Sequence, residues 1–249
     1  MTIFSLIDYS MPVRQIKSTM EQASMEQEKK TTPEKKITPQ AQRREREREY
    51  RYRTILSAAE TLFAKKGFRK TSVEEIADLS EVSVGTVYFY FKDKEELLIH
   101  LFDESLYQLR SILGKEFERA DSPVKGMAMA GHAFFDEFCT HYAQKALILF
   151  RESPGHGKRM ESRRKNMSEI IAKDLSQAID RLRKDAGCKF RSKNSSAVYA
   201  MCILGVYEKV AYHFLTEPDD PERTKEMALD AVDFIIGGIK DITGPANPQ

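Results

Sequence analysis

Cysteine is scarce: the chain of 249 residues has three, Cys139, Cys188 and Cys202. They are odd in number and far apart, and they form no CxxC pair or Cys/His cluster, which argues against a disulfide framework or a structural zinc site. Cys139 and Cys202 stand among apolar residues and are expected to be buried, reduced thiols rather than redox sensors. Histidine is scattered, at His100, His132, His141, His156 and His213. No nucleophile–base pair, metal-ligand spacing or phosphate loop accompanies it, so no catalytic residue, metal or cofactor is expected. Long apolar runs are missing too, so no membrane span is expected. The first ten residues hold Ile3, Phe4, Leu6 and Ile7 but lack a basic n-region and a cleavage-type small-residue site. They do not read as a secretory signal, and the protein is expected in the cytoplasm. Net charge is small: 40 Lys and Arg against 38 Asp and Glu leave +2. Any surface for a polyanion must therefore come from local charge.

What the chain does have is helical pattern. Residues 1–42 are polar, with Pro12, Pro33 and Pro39, and read as an arm too poor in apolar surface to offset its ordering entropy. From Ile55 onward apolar residues recur at helical spacing, with no sustained strand-type alternation and no repeat of 20–50 residues. The fold class read from this is all-α, in two parts: a short helical domain over 43–98 and a longer one over 99–249.

In the first of these, Ile55, Ala58, Ala59, Leu62 and Phe63 form one stripe. Lys65 and Lys66 suit the helix's C-terminal end, and Gly67 is placed as its left-handed stop. Ser72-Val73-Glu74-Glu75 is a capping box that opens a short helix with Val73, Ile76 and Ala77 inward. Glu81-Val82 is a turn. Ser83 caps a further short helix carrying Val87 and Phe91 inward, and Asp93-x-x-Glu96 caps a long one through Leu97, Leu101 and Leu106. Two short helices one tight turn apart describe a helix-turn-helix. Val84, Gly85 and Thr86 are compact where bases would be reached, Tyr88 and Tyr90 offer hydroxyls to phosphates, and Lys94 adds charge at a helix N-terminus. An aromatic core patch is the plainer reading of Tyr88 to Phe91, but four consecutive aromatics cannot all point inward, and Tyr88 and Tyr90 are expected outside. Upstream, residues 43–53 hold six Arg against three Glu. They read equally as a solvated helical lead-in with i,i+4 ion pairs and as a basic segment, Arg51 included, that adds affinity without sequence choice.

Thr54 to Leu98, with Ala58-Ala59, Leu62-Phe63, Gly67, Thr71-Ser72, Ile76-Ala77, Val82-Ser83, Gly85-Thr86-Val87-Tyr88, Tyr90-Phe91 and Lys94-Glu95, resembles the TetR/AcrR family of repressors. The resemblance implies a three-helix DNA-binding domain followed by a divergent helical domain that dimerises and binds an effector. By position it implies a phosphate-contacting hydroxyl at Ser72, groove-reading residues at Val84, Gly85 and Thr86, and DNA-backbone contacts from Tyr88, Tyr90 and Lys94. Two positions depart from the pattern. Val84 stands where a basic or polar residue is common, which favours apolar contact with thymine methyls. Glu74 stands where some members have a base-reading arginine, and is expected to face solvent.

After Asp121-Ser122, Pro123 suits the first turn of a helix to about Tyr142. The segment 146–150 and the Ser153–Gly157 break follow, then an amphipathic helix through Met167, Ile171, Ile179 and Leu182, ended by Gly187. Residues 194–215 are apolar nearly all round and must be covered on every side. With the last helix beyond Pro218 and Pro221 they are expected to pair across a two-fold axis as a four-helix bundle, using Val206, Val210, Phe214, Ala228, Val232, Ile235 and Ile239. Met127, Phe134, Phe138, Phe150, Met167, Tyr199, Ile203 and Tyr207 read either as ordinary core or as the lining of a pocket for an apolar, aromatic or acyl ligand, with His132, His141 or Tyr207 as polar anchors. The expectation is a homodimeric, ligand-responsive regulator of double-stranded operator DNA. The alternatives are an effector-less architectural DNA-binding dimer and, further off, an all-α enzyme or lipid carrier.

Overall fold

A computed structural model describes residues 38–152, 155–217 and 221–243. The arm up to residue 37, part of the Ser153–Gly157 break and Pro218 lie outside these. Every regular element among the described residues is a helix, and none is long and apolar enough to cross a membrane. The chain divides into two compact units after Glu104.

The first unit opens with α1, Pro39–Lys66. It starts inside the segment read as an arm, because Thr38 caps it, accepting the Ala41 N–H at 3.3 Å, and Pro39 suits the first turn. It ends at Gly67, whose φ of 87° is positive as expected. The ψ of 153° places it in a region open essentially to glycine alone. The predicted capping box forms at α2, Val73–Leu79: Ser72 Oγ accepts the Glu75 N–H and Glu75 Oε2 accepts the Ser72 N–H at 2.8 Å. The Lys66 ammonium joins Glu75 and holds its carboxyl below the usual range, with the Ser72 N–H adding to the effect. The bend before α3, Val84–Tyr90, falls at Glu81, whose φ of 54° is left-handed without being glycine. That costs about 1–2 kcal/mol. The Val82 N–H to the Ala77 carbonyl at 3.0 Å and the Ser80 hydroxyl to the Ile76 carbonyl at 2.6 Å hold the bend in place. Asp93 caps α4, Lys94–Arg119, through the Glu96 N–H at 2.8 Å. Ile55, Ala59, Phe63, Ile76, Val87, Phe91, Leu97, Leu98 and Phe102 are fully buried between these helices. Each large side chain among them contributes about 1.5–3 kcal/mol of gross burial.

The second unit takes up α4 from Ser105 and adds α5 (Pro123–Ala133), α6 (Ala143–Leu147), α7 (Gly157–Asp185), α8 (Ser195–Thr216) and α9 (Pro221–Thr243). α5 and α6 run on into wider, π-wound turns, Phe134–Cys139 and Ile148–Glu152, which periodicity did not predict. α7 lies along α8, and α9 packs on both α5 and α8. Polar pins fix α7: Arg110 donates to Asp174 at 2.9 Å, and the Ser196 hydroxyl donates to Asp180 at 2.7 Å. At Gly131 a methyl group would run into the Tyr207 hydroxyl and lie 3.2 Å from Val232, so a side chain there would have to push Tyr207 aside where α5, α8 and α9 meet.

Two expectations about this unit are corrected. Ala228, Val232, Ile235 and Ile239 are not a free dimer stripe: they are buried within one chain, because that face of α9 packs on α5 and α8. Val206, Val210 and Phe214 are half-buried. The apolar residues that α8 and α9 leave open are Val198, Met201, Tyr212, Leu229 and Phe234, the last 73% exposed. Cys139 is buried as expected, and burial pushes its thiol pKa up, but Cys202 is exposed on the outer face of α8.

Candidate nucleic-acid interface and effector cavity

α3 has seven residues and two faces. Val87 and the following Phe91 point into the core, where Phe91 stacks on Tyr52 at 5.2 Å between ring centres. Gly85, Tyr88 and Phe89 are on the other side. Helical spacing forces this split, since residues at i and i+4 share a face and those between them do not. The outward aromatic pair is therefore Tyr88, 51% exposed, and Phe89, 74% exposed. Tyr90, expected outside, is half-buried, its ring 6.4 Å from Tyr52 and 5.2 Å from Phe89. Phe89 was missed; its place one turn after Gly85 was the available signal.

At the N-terminus of α3, Ser83 Oγ accepts the Thr86 N–H at 3.1 Å and lies 2.8 Å from the Thr86 hydroxyl. The two hydroxyls thus form one polar tip beside half-buried Val84 and exposed Gly85. A methyl group on Gly85 would meet only Ser83 Oγ, at 3.8 Å. Ser72, half-buried, begins α2, and Glu74 beside it faces solvent as expected. Arg51 is exposed on α1.

Lys94 is placed otherwise. Its ammonium donates to the Phe68 carbonyl at 2.8 Å and the Thr71 carbonyl at 2.7 Å, and it sits 4.4 Å from the centre of the Phe68 ring. Desolvation lowers its pKa, and Lys66 adds repulsion, with Glu75 opposing both. It ties down the loop between α1 and α2 instead of reaching out, while the N-terminal N–H groups of α4 keep their own partial positive charge.

In the second unit Phe134 gathers Phe138, Phe150 and Tyr207 at centroid distances of 6.4, 5.7 and 5.1 Å. Burial pushes the Tyr207 phenol pKa up. Met127, Met167 and Ile203 are buried, and Tyr199 stands apart against Phe190 at 5.3 Å. A cavity of about 350 Å³ opens at the edge of this cluster, lined by Phe150, Arg164, Gly205, Glu208, Lys209 and Tyr212. Of the expected pocket residues only Phe150 borders it; His132 and His141 do not. Arg164 lies on the polar face of α7, where periodicity gave no sign of a cavity. Its Nε is buried with no hydrogen-bond partner, while Nη1 lies 3.7 Å from Glu161. An orphaned guanidinium N–H beside two aromatic rings suits an amphipathic molecule bearing an acceptor or an anion.

Fold and surface together define a helix-turn-helix protein whose recognition helix is presented outward, joined to an all-helical C-terminal unit. Residues 55–101 match the model for bacterial regulatory proteins of the tetR family. It is similar to the fatty acid metabolism regulator protein of Bacillus subtilis (strain 168), 36% identical over 80 residues, 32% of this chain and 38% of that one. It is also similar to the HTH-type transcriptional repressor KstR of Mycolicibacterium smegmatis, 34% identical over 98 residues, 39% of this chain and 40% of that one. The chain thus spans about two-fifths of the length of these curated relatives. Among solved structures, the transcriptional regulator FadR from Bacillus subtilis in complex with stearoyl-CoA has the same fold, with a TM-score of 0.65 at 18% identity over 75% of this chain and 98% of that one.

Proposed function

We propose that the chain is a ligand-responsive transcription regulator, a repressor that grips a palindromic operator as a homodimer and releases it when an apolar effector occupies the C-terminal unit. One observation carries the DNA half. The fold has no use for glycine at position 85, since a methyl group there would meet only a hydroxyl at van der Waals distance. Yet glycine where the backbone is already helical costs about 0.4–1 kcal/mol relative to alanine, through the freedom it gives the unfolded chain. A surface from outside explains both the missing side chain and the two exposed aromatics beside it. Gly85 lets the helix approach base edges, Val84 and Thr86 meet them, and Ser72, Ser83, Tyr88 and Arg51 hold phosphates. Lys94 serves by keeping the unit rigid. The role is regulatory, not catalytic, and is carried out in the cytoplasm.

Phe150, Tyr212 and the Arg164 Nε–H support an effector with an apolar body and an acidic or acceptor-rich head, the chemistry of an acyl-CoA such as the one bound by Bacillus subtilis FadR. The open apolar residues of α8 and α9 support pairing with a second copy. Release then needs only a modest coupling: about 2 kcal/mol between the sites changes operator affinity about thirtyfold.

Fluorescence anisotropy on duplexes tiled across the DNA flanking the gene, with and without stearoyl-CoA, tests the proposal. Some tile is expected to bind well above mixed-sequence DNA, and stearoyl-CoA to weaken it. Equal affinity with and without ligand ends the acyl-CoA claim, and no preferred tile ends the operator claim. Gly85→Ala is expected to raise stability by about 0.4–1 kcal/mol while cutting operator affinity at least tenfold; unchanged affinity would remove the argument from this residue.

A further inference from the structure

The first part of α1 is unlike the remainder. Tyr52 is its first buried residue, so residues 39–51 contact no core. They amount to about 20 Å of helix at 1.5 Å per residue. Two of the arginines are engaged: Arg43 pairs with Glu47 at 3.1 Å, and Arg53 with Glu49 at 2.9 Å and Glu104 at 2.7 Å. Among the described residues Arg44, Arg46, Arg48 and Arg51 have no ion pair, and Arg46 lies on the opposite side of the helix from the other three. At roughly 100° per residue these three fall within an arc of about 60°.

That arc has a direction. Arg48 lies one turn before Tyr52 and Arg51 one turn before Ile55, and both Tyr52 and Ile55 are buried. Tyr52 meets Tyr90 and Phe91 at the C-terminal end of α3. The stripe therefore continues the helix face that packs on the helix-turn-helix, and it leaves the domain from the point where Tyr52 meets Tyr90 and Phe91. Of the acidic residues in the segment, Glu47 and Glu49 are held by Arg43 and Arg53, and Glu45 lies on the flank of the stripe.

We infer that Arg44 and Arg48 extend the phosphate grip of Arg51 into a second duplex-binding surface, beyond the footprint of the helix-turn-helix and without reading sequence. The inference rests on the DNA reading above. A row of guanidinium groups about one helical turn apart suits a continuous polyanion better than a single carboxylate. A membrane is the poorer fit, since the stripe is flanked by polar residues and has no apolar edge to insert.

The test compares two variants of equal charge in the full chain, Arg44→Gln/Arg48→Gln on the stripe and Arg43→Gln/Arg46→Gln off it. A mixed-sequence duplex of about 40 base pairs serves as probe, since non-specific binding is read through phosphates alone. Each lost phosphate contact lowers the salt slope by about 0.9, so the stripe variant is expected to lose about 1.8 per protomer, and its affinity at low salt at least fivefold. The off-stripe variant is expected to lose less than half as much. Circular dichroism should show both folded, because none of the four side chains touches the core. A stripe variant with wild-type slope and affinity, or two variants weakened alike, overturns the inference and leaves the helix-turn-helix reading standing. A wild-type chain that binds no duplex at all overturns both. Capture on phosphatidylglycerol vesicles that excess duplex does not displace overturns it in favour of a membrane.

Discussion

Lys94 is the residue at which charge and position part company. On a helix N-terminus beside the recognition helix it has the type and place of a phosphate contact, yet two of its three N–H donors are committed to the carbonyls of Phe68 and Thr71. Bonds from a charged donor contribute about 1.5–3 kcal/mol each, offset here by the desolvation that also lowers its pKa. Lys94→Ala is expected to lower the unfolding free energy by about 2 kcal/mol in a urea titration. At a temperature where the variant is fully folded, its duplex affinity should stay within a few-fold of the parent. A tenfold loss in that folded variant would return the lysine to the phosphate contacts that the family resemblance implies. The sequence could not settle this point: residue type and spacing place a cation near the DNA side, but the carbonyls that claim it come from a loop more than twenty positions upstream.

Helices were the best-read level, because their ends are written in local chemistry. Ser72, Ser83, Asp93, Pro123 and Gly187 each mark a boundary that the structure places within a residue or so. Their inward faces were legible for the same reason: Val87 with Phe91, and Met167 with Ile171, follow the helical period. What lies opposite a face was not legible. The stripe Ala228, Val232, Ile235 and Ile239 was found correctly as a stripe and assigned to the wrong neighbour, since a period of 3.6 is the same whether the facing helix belongs to this chain or to a copy. Phe89 and Arg164 were passed over because each breaks the local rule, one an apolar residue outside and the other a cation with a buried N–H. Gly131 marks where three helices converge. Gly131→Ala is expected to destabilise the protein by about 1–3 kcal/mol, read as a fall in melting temperature, because the added methyl drives the Tyr207 ring from its place between Phe134 and Phe135. An unchanged melting temperature would mean that α8 shifts at no cost.

Over the whole molecule, a net charge of +2 hides an uneven distribution, with six Arg against three Glu in residues 43–53. Hydrophobicity is just as uneven. α8 and α9 bury their inner sides in their own protomer and still leave Val198, Met201, Tyr212, Leu229 and Phe234 open. On the proposed pairing, Phe234→Asp is expected to shift the chain from dimer to monomer in light scattering while leaving helicity intact, since the ring touches solvent and its loss opens no cavity. A dimer that persists would move the contact away from this face.

The projecting end of α1 has one further property. Its exposed i,i+4 pairs supply only a few tenths of a kcal/mol each, and a lone helix of that length is marginal in water. Its winding is therefore its own affair, independent of the cooperative melting of the domain that begins at Tyr52. Backbone amides before that tyrosine should trade deuterium on the clock of a free peptide, while those a turn or two further along the same rod must wait for the domain itself to open.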